Sequence, residues 1–306
     1  MVTRRTFSAL GTAALALATS ASMAVAQDWK AKYPELTFAI VPSENASGVS
    51  DRFGPFIECL SKQIGTKVTL RVANDYAAVI EGQKAGNIQI AYYGPASYAR
   101  AFVTGVQTEP FAIEVSQGNV KGYYSVFYVK KDSPYQKIED LKGKNLGLVD
   151  PNSTSGNNVP RLALDGMKID PDTFFGKVVY TGSHENAVLA LGQGTVDVAA
   201  NWWNNPTDSN LTRMATKGMA KADDYRVIYK SDMIVNSPIA YLKDMPADLK
   251  DKIRTAVFSA PTVCKEAYDK LSDGKNLPFE PTTHKDYEPV VELIKFVDAL
   301  RKKKSS

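Results

Sequence analysis

The sequence predicts an α/β protein built from two domains, and three observations carry that prediction. The chain has 306 residues, enough for two domains of about 100 to 200 residues each. A hydrophobic content of 44% can fill two cores. Short β-rich runs alternate with stretches of helical periodicity, the pattern of βαβ units and a mainly parallel or mixed sheet. Disorder and disulfide-dependent miniature folds are excluded on the same grounds.

Taken in chain order, residues 36–41 form a short apolar run, and residues 51–64 place Phe53, Phe56, Ile57, Leu60 and Ile64 at helical spacing. Residues 67–72 are β-rich, 76–85 helical, 88–92 apolar again, and 96–103 suit a helix. A second series opens with the β-rich stretch 123–129 and continues with strands near 146–149, 178–180 and 196–199, with helices between them. No internal repeat, low-complexity tract or Gly/Ser or Pro linker separates the halves. Short crossings are therefore expected, at 121–124 going out and 234–238 returning. They make the first domain discontinuous, residues 27–121 with 238–306, around a second domain of residues 122–237. A ligand cleft is expected between the two, where polar groups of both can close on a solute.

The first 26 residues read as an export signal. Thr3-Arg4-Arg5-Thr6-Phe7 supplies the charged region, an uncharged run from Ser8 to Val25 supplies the apolar region, and Ala24-Val25-Ala26 supplies a small-residue cleavage site. The arginine pair resembles a twin-arginine signal; an ordinary secretory signal with two arginines is the alternative. The mature chain is expected to start at Gln27 as a free periplasmic monomer, with no membrane span.

Lys and Arg total 37 against 33 Asp and Glu, a formal charge of +4, and no basic cluster is dense enough for a nucleic-acid footprint. Two cysteines and two histidines cannot readily build a metal centre, and no cofactor is expected. In an oxidising compartment Cys59 and Cys264 can pair as one disulfide or remain two buried thiols.

The sharpest local signal is Asp150-Pro151-Asn152-Ser153-Thr154-Ser155-Gly156, directly after an apolar strand. Hydroxyls at a strand-to-helix turn can cap the helix, and with the free backbone N–H groups they can converge on a tetrahedral oxyanion. Plain N-capping is the competing reading; three consecutive hydroxyl residues followed by Gly156 exceed what one cap requires. Gly182-Ser183-His184-Glu185 stands at the equivalent place after the next strand and opens the helix 186–191. His184 there can cap, pack or donate to an anion. Two such sites in one α/β sheet both face the crevice beyond the strand ends.

These motifs resemble the phosphonate-binding proteins of ABC importers, two-domain periplasmic binding proteins of type II. The matching segments, in order, are Ala73-Asn74-Asp75-Tyr76-Ala77, Ile90-Ala91-Tyr92-Tyr93-Gly94, Gly122-Tyr123-Tyr124-Ser125-Val126, Lys131-Asp132-Ser133-Pro134, the stretch from Asp150 to Pro160, Gly182-Ser183-His184-Glu185 and Val196-Asp197-Val198-Ala199. The resemblance runs from about Thr37 to Ile239 and is less distinct after Pro246. It implies that Ser153, Thr154, Ser155 and His184 clamp the phosphonate, with hydroxyl groups of Tyr123 and Tyr76 added from the hinge and the first domain, and with Tyr93 and Trp202 as further ligand-binding residues. It also implies a membrane permease and an ATPase as partners.

In relatives that bind aminoethylphosphonate, two carboxylates hold the ammonium. The corresponding positions here are Asn204 and Ser237, and both carboxylates are missing. Burying an ammonium without a paired carboxylate is costly. The expected ligand is therefore methylphosphonate, phosphite or another small alkylphosphonate; aminoethylphosphonate or a phosphate ester is the alternative, with Glu44, Asp75 or Asp232 as candidate replacement carboxylates. Of Trp202 and Trp203, at most one is expected at the ligand. A Ser/His transferase or hydrolase is the rival of another class, and the chain has neither a nucleophile elbow nor a phosphate-loop lysine to support it. A receptor for an amino acid would need a charge pair that Arg161 and Arg213 are not placed by any motif to supply.

Overall fold

The computed structural model describes residues 29–305, so the export signal expected at residues 1–26 lies outside the described residues. Two mixed sheets form the two lobes of the molecule. The first has six strands in the order β13-β4-β12-β3-β1-β2 and the second has seven, five of them in the order β10-β5-β8-β6-β7. In the first, β1 (Glu35–Ile40) lies parallel between β2 (Lys67–Val72) and β3 (Ile90–Tyr92). Three strands then add antiparallel: β12 (Pro238–Leu242), β4 (Thr108–Ser116) and the edge strand β13 (Asn276–Pro281). In the second, β6 (Asn145–Leu148) lies parallel between β7 (Lys177–Tyr180) and β8 (Val198–Asn205), and β5 (Gly122–Lys130) joins β8 antiparallel. At the far edge, β10 (Tyr225–Lys230) pairs with β5.

The chain leaves the first sheet after Ser116, enters the second at Gly122, leaves it at Val235 and re-enters the first at Pro238. The two passages run side by side, because the short strand β11 (Ile234–Val235) pairs with the start of β5, Ile234 opposite Tyr123. The antiparallel strands β4 and β13 were not expected from periodicity. Pro110, Glu109 and Glu114 interrupt the apolar pattern of β4, and Pro278 and Pro281 confine β13 to an edge, where a missing N–H costs no ladder bond.

Helices start where polar side chains cap them. The first long helix, Ala46–Ile64, begins earlier than its apolar spacing suggests, since Asn45 Oδ1 accepts from the Gly48 N–H. Its inner face buries Phe53, Phe56, Leu60 and Ile64 against Phe38, Ile253 and Val257 in the main core of the first lobe. Phe127, Leu146, Leu148 and Leu164 anchor the core of the second. The C-terminal helix, Glu288–Ser305, serves both lobes. Val290, Val291 and Ile294 pack on Ala96 and Ala99 of the first, and Arg301 Nη2 donates to Tyr180 Oη of the second at 2.7 Å. No helix among the described residues is long and apolar enough to cross a membrane.

Cys59, on the helix Ala46–Ile64, is bonded to Cys264, which ends the helix Ala247–Val263; their Cα atoms lie 6.3 Å apart. Of the two states open to these residues, the structure therefore takes the disulfide. It joins positions 205 residues apart and so restricts the unfolded chain strongly. Denatured, unreduced protein should show no thiol to Ellman's reagent. A Cys59→Ser/Cys264→Ser variant should lose about 2 to 5 kcal/mol of unfolding free energy in guanidinium titrations. Two free thiols in the oxidised protein would contradict the pairing.

Candidate functional site

Behind β6 the chain turns sharply: Asp150 Oδ1 accepts from the Asn152 N–H at 2.7 Å, and the Asp150 carbonyl accepts from Ser153 N at 2.9 Å. Ser153 then caps the following helix, its Oγ accepting from Gly156 N at 3.1 Å. Capping does not exhaust the motif. Residues Thr154–Asn158 form a π-helical turn before the regular helix Val159–Gly166, and this widened turn keeps Ser153, Thr154 and Ser155 together and buried. Gly156 permits it, because a Cβ there would lie 2.4 Å from Val149 Cγ2 and 2.7 Å from Ser153 Oγ.

The other groups arrive from separate elements. Tyr123 comes from β5 and Tyr76 from the first turn of the helix Tyr76–Lys84 in the first lobe. The Tyr76 phenol meets the Ser153 hydroxyl, and the Tyr123 phenol meets those of Thr154 and Ser155. Burial pushes the Tyr123 phenol up to about 12 and raises that of Tyr76 as well, so both stay protonated donors. Gly182, in the left-handed region at φ 84°, and Ser183, whose Oγ accepts from Asn186 N, start the helix His184–Gly192. His184 lies 4% exposed at its first position. Its Nε2 is 3.5 Å from Ser153 Oγ, and its buried Nδ1 has no hydrogen-bond partner. Burial drives its pKa from 6.5 down to about 3, so the ring is neutral.

All ten residues singled out from sequence line one cavity of about 130 Å³ between the lobes: Tyr76, Tyr93, Tyr123, Ser153, Thr154, Ser155, His184, Trp202, Asn204 and Ser237. The Tyr93 hydroxyl is already used within the first lobe, donating to Gln83 Oε1 at 2.9 Å. Asn204 Nδ2 donates to the Asp208 carboxylate at 2.6 Å. Trp202 lines the cavity with the Arg213 guanidinium 4.8 Å above its ring, whereas Trp203 packs against Tyr124 outside it. Of the candidate replacement carboxylates, Asp75 caps the helix Tyr76–Lys84, and neither Asp75 nor Asp232 lines the cavity. Glu44 does line it but is ion-paired to Arg52 and Lys217. Burial alone would raise its carboxyl, and those two cations outweigh burial and hold it below the ordinary range.

Sequence reasoning missed one carboxylate of the wall. Glu114, on β4, borders Ser237: its N–H donates to the Ser237 carbonyl at 3.2 Å. Its carboxylate accepts from Tyr92 Oη and, at 2.8 Å, from Asn276 Nδ2. The other charged groups of the wall are ion-paired, Arg52 and Lys217 with Glu44, Lys217 with Glu185, and Arg213 with Asp208. No such pair within 4.0 Å involves Glu114 among the described residues. An acidic residue inside the apolar stretch Phe111–Val115 was the signal in the sequence.

Comparison with known proteins identifies the family and the fold. Residues 38–287 match the family model described as "ABC transporter, phosphonate, periplasmic substrate-binding protein". The chain is 30% identical over 276 residues to the phosphate-import protein PhnD of Mycolicibacterium smegmatis, covering 84% of each chain. It is 34% identical over 222 residues to the phosphonates-binding periplasmic protein of Escherichia coli, covering 71% of this chain and 64% of that one. Among solved structures, a binding-protein component of an ABC phosphonate transporter from Pseudomonas aeruginosa superposes with a TM-score of 0.76 at 29% identity, covering 86% of both chains. PhnD1 of Prochlorococcus marinus, solved with methylphosphonate, has a TM-score of 0.75 at 18% identity, covering 87% of this chain and 98% of that one. The chain thus belongs to the family of periplasmic substrate-binding proteins of phosphonate ABC transporters.

Proposed function

We propose that this protein captures a small phosphorus oxyanion in the cleft between two domains, residues 27–121 with 238–306 and residues 122–237, and presents it to a membrane permease with its ATPase. The observation that carries this reading is the convergence of neutral donors from both lobes on one cavity: the Ser153, Thr154 and Ser155 hydroxyls, the Tyr76 and Tyr123 phenols and the buried, neutral His184. Such donors bind an anion without a counter-charge, and in a site with little water each is worth more than it would be in solvent. Capture by lobe closure follows from the position of Tyr76 and Ser153 on opposite sides. The family implies a periplasmic location, and in this reading residues 1–26 are the export leader and the protein acts as a monomer. Ser153 serves as a cap and a donor, and its 3.5 Å separation from His184 gives no hydrogen bond strong enough to mark a nucleophile, which favours binding over catalysis.

For the substituent on phosphorus, Asn204 and Ser237 in place of two carboxylates favour methylphosphonate, phosphite or another small alkylphosphonate. The unpaired carboxylate of Glu114 beside Ser237 favours a second reading, an aminoalkylphosphonate whose ammonium meets Glu114. Titration calorimetry separates them. Tightest binding of methylphosphonate or phosphite, unchanged in Glu114→Gln, supports the first. Tightest binding of aminoethylphosphonate, lost in Glu114→Gln, supports the second. Ser153→Ala and Thr154→Ala should each cost about 1 to 3 kcal/mol of binding with either ligand, because each leaves a buried polar partner unmet. Full affinity in both variants would remove the hydroxyl clamp from the site.

The neutral state of His184 has its own consequence. Its folded pKa lies near 3, below the ordinary 6.5, so the unfolded chain takes up a proton that the folded one refuses. The stability contributed by His184 is complete above about pH 6.5 and falls as pH drops toward 3, by up to about 1.4 kcal/mol per unit. Melting temperatures of the ligand-free protein should fall from pH 6.5 to 5, and His184→Gln should flatten that decline. An equal slope in both proteins would mean that the ring is not held neutral.

A further inference from the structure

The glutamate of Gly182-Ser183-His184-Glu185 received no role from the sequence; it stands in the cavity wall, and the structure commits its carboxylate to protein partners. Glu185 is 2% exposed and follows the anion-facing His184. Its Oε2 accepts from both the backbone N–H (2.8 Å) and the side-chain Nδ2 (2.7 Å) of Asn45, the N-cap of the long first-lobe helix Ala46–Ile64. Its Oε1 accepts from Lys217 Nζ at 3.1 Å, and Lys217 reaches across the cleft to Glu44 at 2.8 Å. The backbone adds a bond in the opposite sense, His184 N to the Ser43 carbonyl at 3.0 Å. Ser43-Glu44-Asn45 of the first lobe is thus docked on His184, Glu185 and Lys217 of the second.

Helix ends elsewhere in the cleft repeat the arrangement. The Tyr76 N–H, in the first turn of its helix, is bonded to the Asp150 carboxylate of the second lobe. Ala96 N, in the first turn of the helix Pro95–Val103, donates to Thr154 Oγ1 at 2.8 Å, and Gly94 gives that helix no side-chain cap of its own. These N–H groups have no partner within their helices and carry the positive end of the helix dipole. Acidic or hydroxyl oxygens from the opposite lobe supply what they lack, and they can do so only when the lobes are together.

We propose that Glu185 and Lys217 are positioning residues that hold the closed form. The proposal rests on the reading of the cavity as an anion site and deepens it: the clamp decides what is bound, and the Glu185–Asn45 and Lys217–Glu44 contacts decide how long it stays. Every polar atom they present is committed to protein partners, so their effect falls on the closed state. Contacts made after capture act on dissociation more than on association. Because Lys217 is one-third exposed, salt should weaken its share.

The experiment is stopped-flow binding of methylphosphonate and aminoethylphosphonate to the mature protein, followed by Trp202 fluorescence at low and high salt. Wild type is compared with Lys217→Met and with the near-isosteric Glu185→Gln, and thermal melts verify folding. Both variants should release ligand about tenfold faster with association rates nearly unchanged, and the salt dependence of release seen in wild type should vanish in Lys217→Met. Small-angle scattering of the ligand-free proteins should show both variants more extended than wild type at low salt. Folded variants with wild-type release rates, salt dependence and dimensions would overturn the proposal. If wild type binds neither of these ligands nor phosphite or phosphate, the anion-site reading fails, and scattering alone still decides the latch: variants as compact as wild type overturn it.

Discussion

An α-helix begins with N–H groups that nothing inside the helix can satisfy, and the arrangement of this molecule follows from where its helix beginnings point. In both lobes several of them converge on the cleft, the place beyond the strand ends where open α/β sheets bind ligands. Some of those groups are met by local caps, such as Ser153, Ser183 and Asn45. Others are met from across the cleft, by Glu185, Asp150 and Thr154. A cap contributes about 1 kcal/mol, so a few that exist only on closure can bias the lobes appreciably without fixing them. In the proposed function the same dipole ends and hydroxyls are the groups an anion meets.

Neutrality is the second principle of the site. The cavity presents phenols, hydroxyls and an uncharged imidazole, while the arginines and lysine of its wall are ion-paired to carboxylates. An unpaired cation in so buried a cavity would be costly before the ligand arrived. Thr154 illustrates the economy of the solution. Its oxygen accepts from Ala96 N while its hydroxyl also meets the Tyr123 phenol, so one hydroxyl joins the lobes and lines the ligand space.

Much of this was legible in the sequence because local chemistry dictated it. Hydroxyls after a strand, a histidine at a helix start and a glycine packed against Val149 have meanings set by neighbours a few residues away. The strand Lys67–Val72 and the helix Tyr76–Lys84 were readable from periodicity for the same reason. Glu114 and Lys217 were not, since each acquires its role from a partner far along the chain. Glu114 sits on an antiparallel strand whose proline and acids hide its pattern, and Lys217 matters only because folding brings Glu44 to it. Positions 204 and 237 carry no carboxylate, but the wall holds another, because Glu114 enters it from a different strand.

The C-terminal helix changes the mechanics of the cleft. Two adjacent passages of backbone would make a simple jaw, opening about a line through β5 and β11. This helix is a third tie: Leu293 packs with Tyr123, Val159 and Ile234, Arg100 and Asp298 bind it to the first lobe, and Arg301 reaches Tyr180 on the second. A body held at two hinges and a strut off their axis cannot swing wide without detaching the strut. Opening therefore gives up the Leu293 packing and the Arg301–Tyr180 hydrogen bond in addition to the contacts of the cleft.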